Sequence, residues 1–157
     1  MTSLDDLKRE LVLANRILAR EDVVDAYGHV SVRHPDDPSR YFLSRSRAPE
    51  LVEVSDIMEF TLDGTPVGDD KRQPYLERFI HAAVYESRPD VLAVVHAHAE
   101  DVLPFGISSA PLRPVIHSGS FMGEQVPVSA SAAVPAMATA GDGSPASSRR
   151  RLFGRKA

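Results

Sequence analysis

The chain has 157 residues, a net charge of −4 and no cysteine, so it suits one domain with a sizeable core and cannot use disulfides or thiolate metal sites, leaving His, Asp, Glu or water to hold any metal. The last nine residues carry Arg149, Arg150, Arg151, Arg155 and Lys156 and no acid; without those five cations, residues 1–148 hold 13 basic against 22 acidic groups, a net −9, which does not attract nucleic acid. No apolar run is long enough to span a bilayer and the N-terminus, Met1 to Asp6, is acidic rather than basic, so a cytoplasmic enzyme or binding protein with no membrane partner is expected.

Leu4 to Arg20 reads as an amphipathic helix, with Leu4, Leu7, Leu11, Ala14 and Leu18 at helical spacing. Ser3 is its expected N-cap, and Asp5 and Asp6 complement the dipole of the first turn. After a short acidic link, Tyr27 to His34 alternates Val30 and Val32 with Ser31 and Arg33, the pattern of a strand. Gly28 permits a turn just before it, so His29 and Ser31 either line a cleft at the strand's start or face outward on a partly exposed strand. Pro35 to Ser39 is a turn and Tyr41 to Ser44 a returning strand, which predicts a hairpin. Ser44-Arg45-Ser46-Arg47 then sets two guanidinium groups near the strand end, as an exposed basic loop or as a bidentate hold on an anion. Ala48 to Val54 is a helical turn or loop, Ile57 to Leu62 a strand, and Asp63-Gly64 a tight turn.

Pro74 marks a helix start, with Leu76, Phe79, Ile80, Ala83 and Val84 as its buried stripe through Tyr85. Glu77 and His81, four apart, share another edge, which by itself reads as an ordinary polar pair on a solvated face. Arg88-Pro89-Asp90 ends the helix. Val91 to Glu100 then reads as a buried strand ending in two histidines. Alternation puts His96 and His98 on one side with Val94, and Ala93, Val95 and Ala97 on the other. A single histidine beside an apolar strand is usually a satisfied core residue. Two at H-x-H spacing point to a metal or catalytic site, because a strand places both imidazoles on one ion. Strand, hairpin, helix and strand in this order imply a mixed sheet with covering helices.

Asp101 to Phe105 reads as a short helix ended by Gly106, Pro111 to Ser118 as extended, Gly119 to Gly123 as flexible, and Glu124 to Val128 as extended. Residues 129–148 contain twelve Ala or Ser in twenty and no apolar periodicity, so a disordered tail is expected over 129–157, after a domain over 1–128.

Gly28-His29-Val30-Ser31, Glu77-Arg78-Phe79-Ile80-His81, Arg88-Pro89-Asp90 and Val94-Val95-His96-Ala97-His98, in this order and spacing, resemble the class II aldolase/adducin family over about Leu4 to Val128. The resemblance implies an α/β fold, an α/β/α sandwich around a largely antiparallel mixed sheet, here incomplete at its C-terminus. It implies that His96 and His98 bind a divalent metal, zinc or alternatively manganese, and that Glu77 serves as acid/base. It also implies a homo-oligomer, commonly a tetramer. The implied reaction is C–C cleavage beside a carbonyl in a small carbonyl or hydroxy-acid substrate, through a metal-stabilised enediolate or carbanion. A non-catalytic interaction module, as in the adducin branch, is the alternative.

Where the sugar-phosphate aldolases of that family have Gly-Asn, Thr-Pro-Ser-Gly and Ser-Ser, this chain reads Gly28-His29, Leu43-Ser44-Arg45-Ser46 and Tyr75-Leu76. Much of the phosphate cradle is absent, and the pattern is more similar to the branch of aromatic hydroxy-acid decarboxylases. His29, Ser31, Ser44 and Arg45 are then the expected substrate-binding residues, with Arg47 or Arg113 also able to meet a carboxylate. The family's third metal histidine comes from a later strand, where this chain has its low-complexity segment. The resemblance therefore implies a domain cut short by an unrelated end, such as a reading-frame change produces, with weak metal retention and little activity. His117 or His29 could be recruited in place of the third ligand.

Overall fold

The computed structural model describes residues 3–124, 126 and 127; the expected tail over 129–157 lies outside them. Helix α1 spans Leu4–Arg20, and Ser3 caps it as expected, its Oγ accepting from the Asp6 N–H at 3.1 Å. Its buried residues are Leu11, Val12 and Asn15, while Leu4 is exposed. Asn15 is a buried amide with two bonds: Nδ2 donates to the Leu11 carbonyl at 2.8 Å, and Oδ1 accepts from the Val30 N–H at 3.2 Å. It ties the helix to the first strand.

Strands β1 (His29–Arg33), β2 (Arg40–Ser44), β3 (Ile57–Thr61) and β4 (Ala93–His96) form one sheet in the order β3-β2-β1-β4, with every pairing antiparallel. The β1–β2 hairpin pairs Ser31 with Leu43 and Val32 with Phe42. β1 also pairs with β4, His29 opposite His96 and Ser31 opposite Val94. That register puts the sequence-distant histidines side by side.

Both faces of the sheet are covered. On one, Val30, Phe42 and Ile57 pack with Leu11 and Val12 of α1 and with Val52. On the other, Tyr41, Leu43, Met58 and Phe60 pack with Tyr75, Ala82 and Tyr85, the last two from α2 (Arg78–Ser87). This is helix, sheet and helix in layers, each buried aliphatic or aromatic side chain contributing ~1.5–3 kcal/mol. Arg33 locks α2 to the sheet: its guanidinium donates to the carbonyls of Tyr85, Arg88, Val91 and Pro38.

Several boundaries differ from the sequence reading. α2 begins at Arg78, four residues after Pro74, because Pro74 forms a bridge to Arg45 instead. Its expected stripe is turned outward: Leu76, Phe79 and Ile80 are about half exposed, and the buried side is His81, Ala82 and Tyr85. His81 is therefore not on a solvated face. The β4 strand is shorter than Val91 to Glu100 and is not buried on both sides; Ala93 and Val95 are exposed because the α1-face core does not extend over β4. A short helix α3 covers Leu103–Ile107 with Gly106 inside it, and a 3-10 helix, not a flexible link, covers His117–Met122.

Candidate active site

Strand alternation sends His29, Ser31, Val94 and His96 to the α2 face of the sheet. His29 and Ser31 are fully buried, which excludes the exposed-strand alternative. His96 and His98 converge: their Nε2 atoms are 3.0 Å apart, with the rings edge to face. His98 lies two residues past the last paired position, but its imidazole still reaches the same side.

The outer nitrogen of His98, Nδ1, stands 3.3 Å from both Asp25 carboxylate oxygens. Asp25 sits in the loop between α1 and β1, and its carboxylate also accepts from the Tyr27 N–H at 3.1 Å. Gly28 lets that loop dock on β4. A Cβ there would stand 2.5 Å from Val24 Cβ and 3.0 Å from the His96 carbonyl oxygen. Hydrogen bonds from Tyr27, His98 and Gly28 hold the Asp25 carboxyl below its ordinary range against the opposing cost of desolvation.

Behind this pair lies a second group. His29 stacks on His96 with centroids 5.0 Å apart and meets Tyr75 at 4.1 Å. Its Nδ1 is 2.9 Å from His81 Nε2. His81 Nδ1 is 2.6 Å from Ser31 Oγ, and that oxygen is 2.7 Å from the Tyr85 hydroxyl. Burial, followed by the neighbouring imidazoles, pushes His29 down to about 3, and burial with His96 pushes His81 down to about 4. Both are neutral at pH 7. Burial raises Tyr85 to about 12. Burial also lowers His96, assisted by His98, while the charges of Glu77 and Asp25 oppose that shift.

Glu77 is half-buried at the N-terminus of α2, within electrostatic reach of His96. With Arg47, Gln73, Tyr75 and Tyr27 it lines a cleft of about 420 Å³. Ser44 is fully buried at the end of β2. Arg45 is drawn away: its Nε donates to Asp56 Oδ1 at 2.6 Å, and Arg47 donates to Asp56 Oδ2 at 2.8 Å. Of the expected residues, His29, Ser31, Glu77, His96 and His98 thus come together, and Arg47 rather than Arg45 reaches the cleft wall. Arg113 and His117 are exposed.

The sequence reading missed Asp25, Tyr75 and Tyr85, and left His81 on the surface. Their only signal was chemical type; the contacts that select them join positions far apart in the chain.

The donor set fits part of a metal site. Two imidazole nitrogens 3.0 Å apart can share one ion at about 2.0–2.1 Å from each, and a carboxylate on the outer His98 nitrogen favours the tautomer whose Nε2 lone pair faces inward. Among the described residues, however, no group of three or more His, Cys, Asp and Glu side chains is placed to hold a metal, so neither His117 nor His29 takes the third place.

The profile of the Class II Aldolase and Adducin N-terminal domain matches residues 9–147. The chain is 44% identical over 121 residues to Decarboxylase tropJ of Talaromyces stipitatus, covering 76% of this chain and 46% of that protein. It is 30% identical over 119 residues to 3,4-dihydroxyphthalate decarboxylase of Arthrobacter keyseri, covering 69% and 47%. Among solved structures it is similar to L-fuculose 1-phosphate aldolase of Glaciozyma antarctica, with 30% identity and a TM-score of 0.62 over 69% of this chain and 46% of that one. The chain spans about half the length of the curated relatives it matches.

Proposed function

The chain belongs to the class II aldolase and adducin N-terminal domain family, and from that membership we propose that it carries the metal-gripping and proton-moving part of a lyase that breaks a C–C bond beside a carbonyl. The observation that carries the reading is the convergence of His96 and His98, with Asp25 behind one and Glu77 near the other. A divalent metal held by His96 and His98, zinc or alternatively manganese, supplies Lewis acidity for the oxygens of the substrate. With two protein ligands among the described residues, where catalytic zinc sites mostly have three, weak retention is expected.

The substrate class is a hydroxy acid, and the reaction is decarboxylation in preference to aldol cleavage of a sugar phosphate. Relatives bear decarboxylase names, and Arg47, whose Nη1 is held by Asp56, lines the cleft, where its remaining N–H groups would meet a carboxylate. In an aromatic acid with a hydroxyl beside its carboxylate, Glu77 carries the hydroxyl proton to the ring carbon that bears the carboxylate, giving the keto tautomer. The bond from that carbon to the carboxylate then breaks, its electron pair is taken up through the carbon by the ketone oxygen, carbon dioxide leaves, and the phenolate formed takes a proton from solvent. His29, Ser31 and Ser44 form the floor beneath the reacting group, and Arg45 acts on it only through Asp56. The protein works as a cytoplasmic homo-oligomer, a reading that the half-exposed Leu76, Phe79 and Ile80 support.

The test is direct. Zinc- or manganese-loaded chain is incubated with a panel of hydroxy-aromatic acids and aldol substrates while carbon dioxide and aldehyde are followed. Carbon dioxide release that falls at least a hundredfold in Glu77→Gln is the expected result. No product from any substrate counts against the lyase. The second reading, a non-catalytic interaction module, is favoured by the missing third ligand among the described residues; it predicts no metal uptake together with a stable partner complex.

A further inference from the structure

Four buried side chains form a hydrogen-bonded series beneath the site. The Tyr85 hydroxyl is 2.7 Å from Ser31 Oγ, Ser31 Oγ is 2.6 Å from His81 Nδ1, and His81 Nε2 is 2.9 Å from His29 Nδ1. None of the four residues is more than 1% exposed. At the far end His29 Nε2 is buried with no partner among the described residues.

Counting hydrogens fixes the direction. Each neutral imidazole carries one N–H and each hydroxyl one O–H, so four hydrogens serve three contacts and one is left over. If the series ran from His29 toward Tyr85, the phenol hydrogen would be stranded. Ser31 Oγ is the partner the Tyr85 hydroxyl has, and the Val94 N–H approaches the same phenol oxygen as a donor. His29 Nε2 would also be left as an empty acceptor, giving two unsatisfied groups. If Ser31 accepted from both sides, its own hydrogen and His29 Nε2 would both be stranded. Only the run from Tyr85 to Ser31 to His81 to His29 leaves a single unsatisfied group, the N–H at His29 Nε2. A stranded buried donor costs on the order of 1–3 kcal/mol, so the arrangement with one is preferred to those with two.

We infer that this series is polarised toward His29, which holds a fixed Nε2–H for an acceptor oxygen of the substrate, and that Ser31, His81 and Tyr85 are positioning residues acting through it. The His29 ring is itself buried and off the cleft wall, in contact with Tyr75, which lines the cleft, and stacked on His96, so the oxygen it serves is one that enters behind Tyr75. Such a preset donor selects a carboxylate or carbonyl oxygen and disfavours a group that can only donate. The polarity stands on the hydrogen count alone; giving the acceptor to a substrate rests on the lyase reading.

The test is long-range proton–nitrogen correlation of the full chain labelled with 15N-histidine, at pH 7.5. The expected result is the Nε2–H tautomer at both His29 and His81 in the unaltered chain. In Ser31→Ala, which removes the middle donor with little change of volume, both rings become tautomer mixtures. Titration of the zinc-loaded chain with 2,3-dihydroxybenzoate then moves the His29 Hε2 resonance downfield to saturation. An Nδ1–H tautomer at His29, or a tautomer unchanged by Ser31→Ala, overturns the polarity. An unmoved Hε2 resonance overturns the assignment of the donor to a substrate oxygen. Failure of the lyase reading is separate: the tautomers are as stated and no carbon dioxide is released.

Discussion

Asp25 is the residue whose contribution is most readily isolated, because its carboxylate touches the outer nitrogen of His98 and the Tyr27 N–H. Asp25→Asn keeps the shape and removes the charge that orients and enriches the imidazole. Zinc affinity is expected to fall roughly 10–100-fold by competition titration, with Asp22→Asn, on the same loop, unchanged. His81 gives a pH signature. Its folded value is pushed from 6.5 to about 4, so below pH 6.5 the unfolded chain takes up a proton that the folded chain refuses. Stability is therefore complete above about pH 6.5 and declines toward pH 4, by ~3 kcal/mol at most. Urea melts at intervals through that window check the slope, and His81→Asn is expected to reduce it without abolishing it, because His29, pushed down to about 3, contributes over the same range. From sequence, His96 and His98 were legible because the strand period puts them on one side, whereas Glu77 entered only through the family resemblance, since helical spacing alone reads it as a solvated polar pair. Asp25 and Tyr85 were not, since loop closure and helix rotation select them.

The elements show the same division. The hairpin, the β3 strand and the capped α1 follow from alternation, turn residues and helical spacing, and the structure places them within a few residues. The α2 helix does not follow so simply. Its apolar stripe reads as the buried side, yet His81 and Tyr85 go inward, since burying them completes a network that offsets their desolvation. Gly28 is the point where one element constrains another, because the α1–β1 loop passes against the His96 carbonyl. Gly28→Ala forces that loop off β4 and carries Asp25 with it. The expected outcome is a loss of ~1–3 kcal/mol in denaturant melts together with weakened zinc binding, whereas Gly106→Ala, whose Cβ meets nothing within 4 Å, leaves the zinc affinity as it was.

At the scale of the whole molecule, the sheet separates two jobs. The α1 face is an apolar core, and the α2 face joins a core over β2 and β3 to polar chemistry over β1 and β4. Leu43→Ala, fully buried in the second core, is expected to cost ~2–5 kcal/mol while leaving zinc affinity intact well below its melting temperature. In the proposed site His96 and His98 grip one divalent ion. Calorimetric titration of zinc into the full chain tests it most directly, beside His96→Ala and His98→Ala variants with unchanged circular dichroism. One saturable equivalent in the unaltered chain, lost in both variants, is the predicted result; zinc uptake that is absent throughout, or identical in all three proteins, contradicts it.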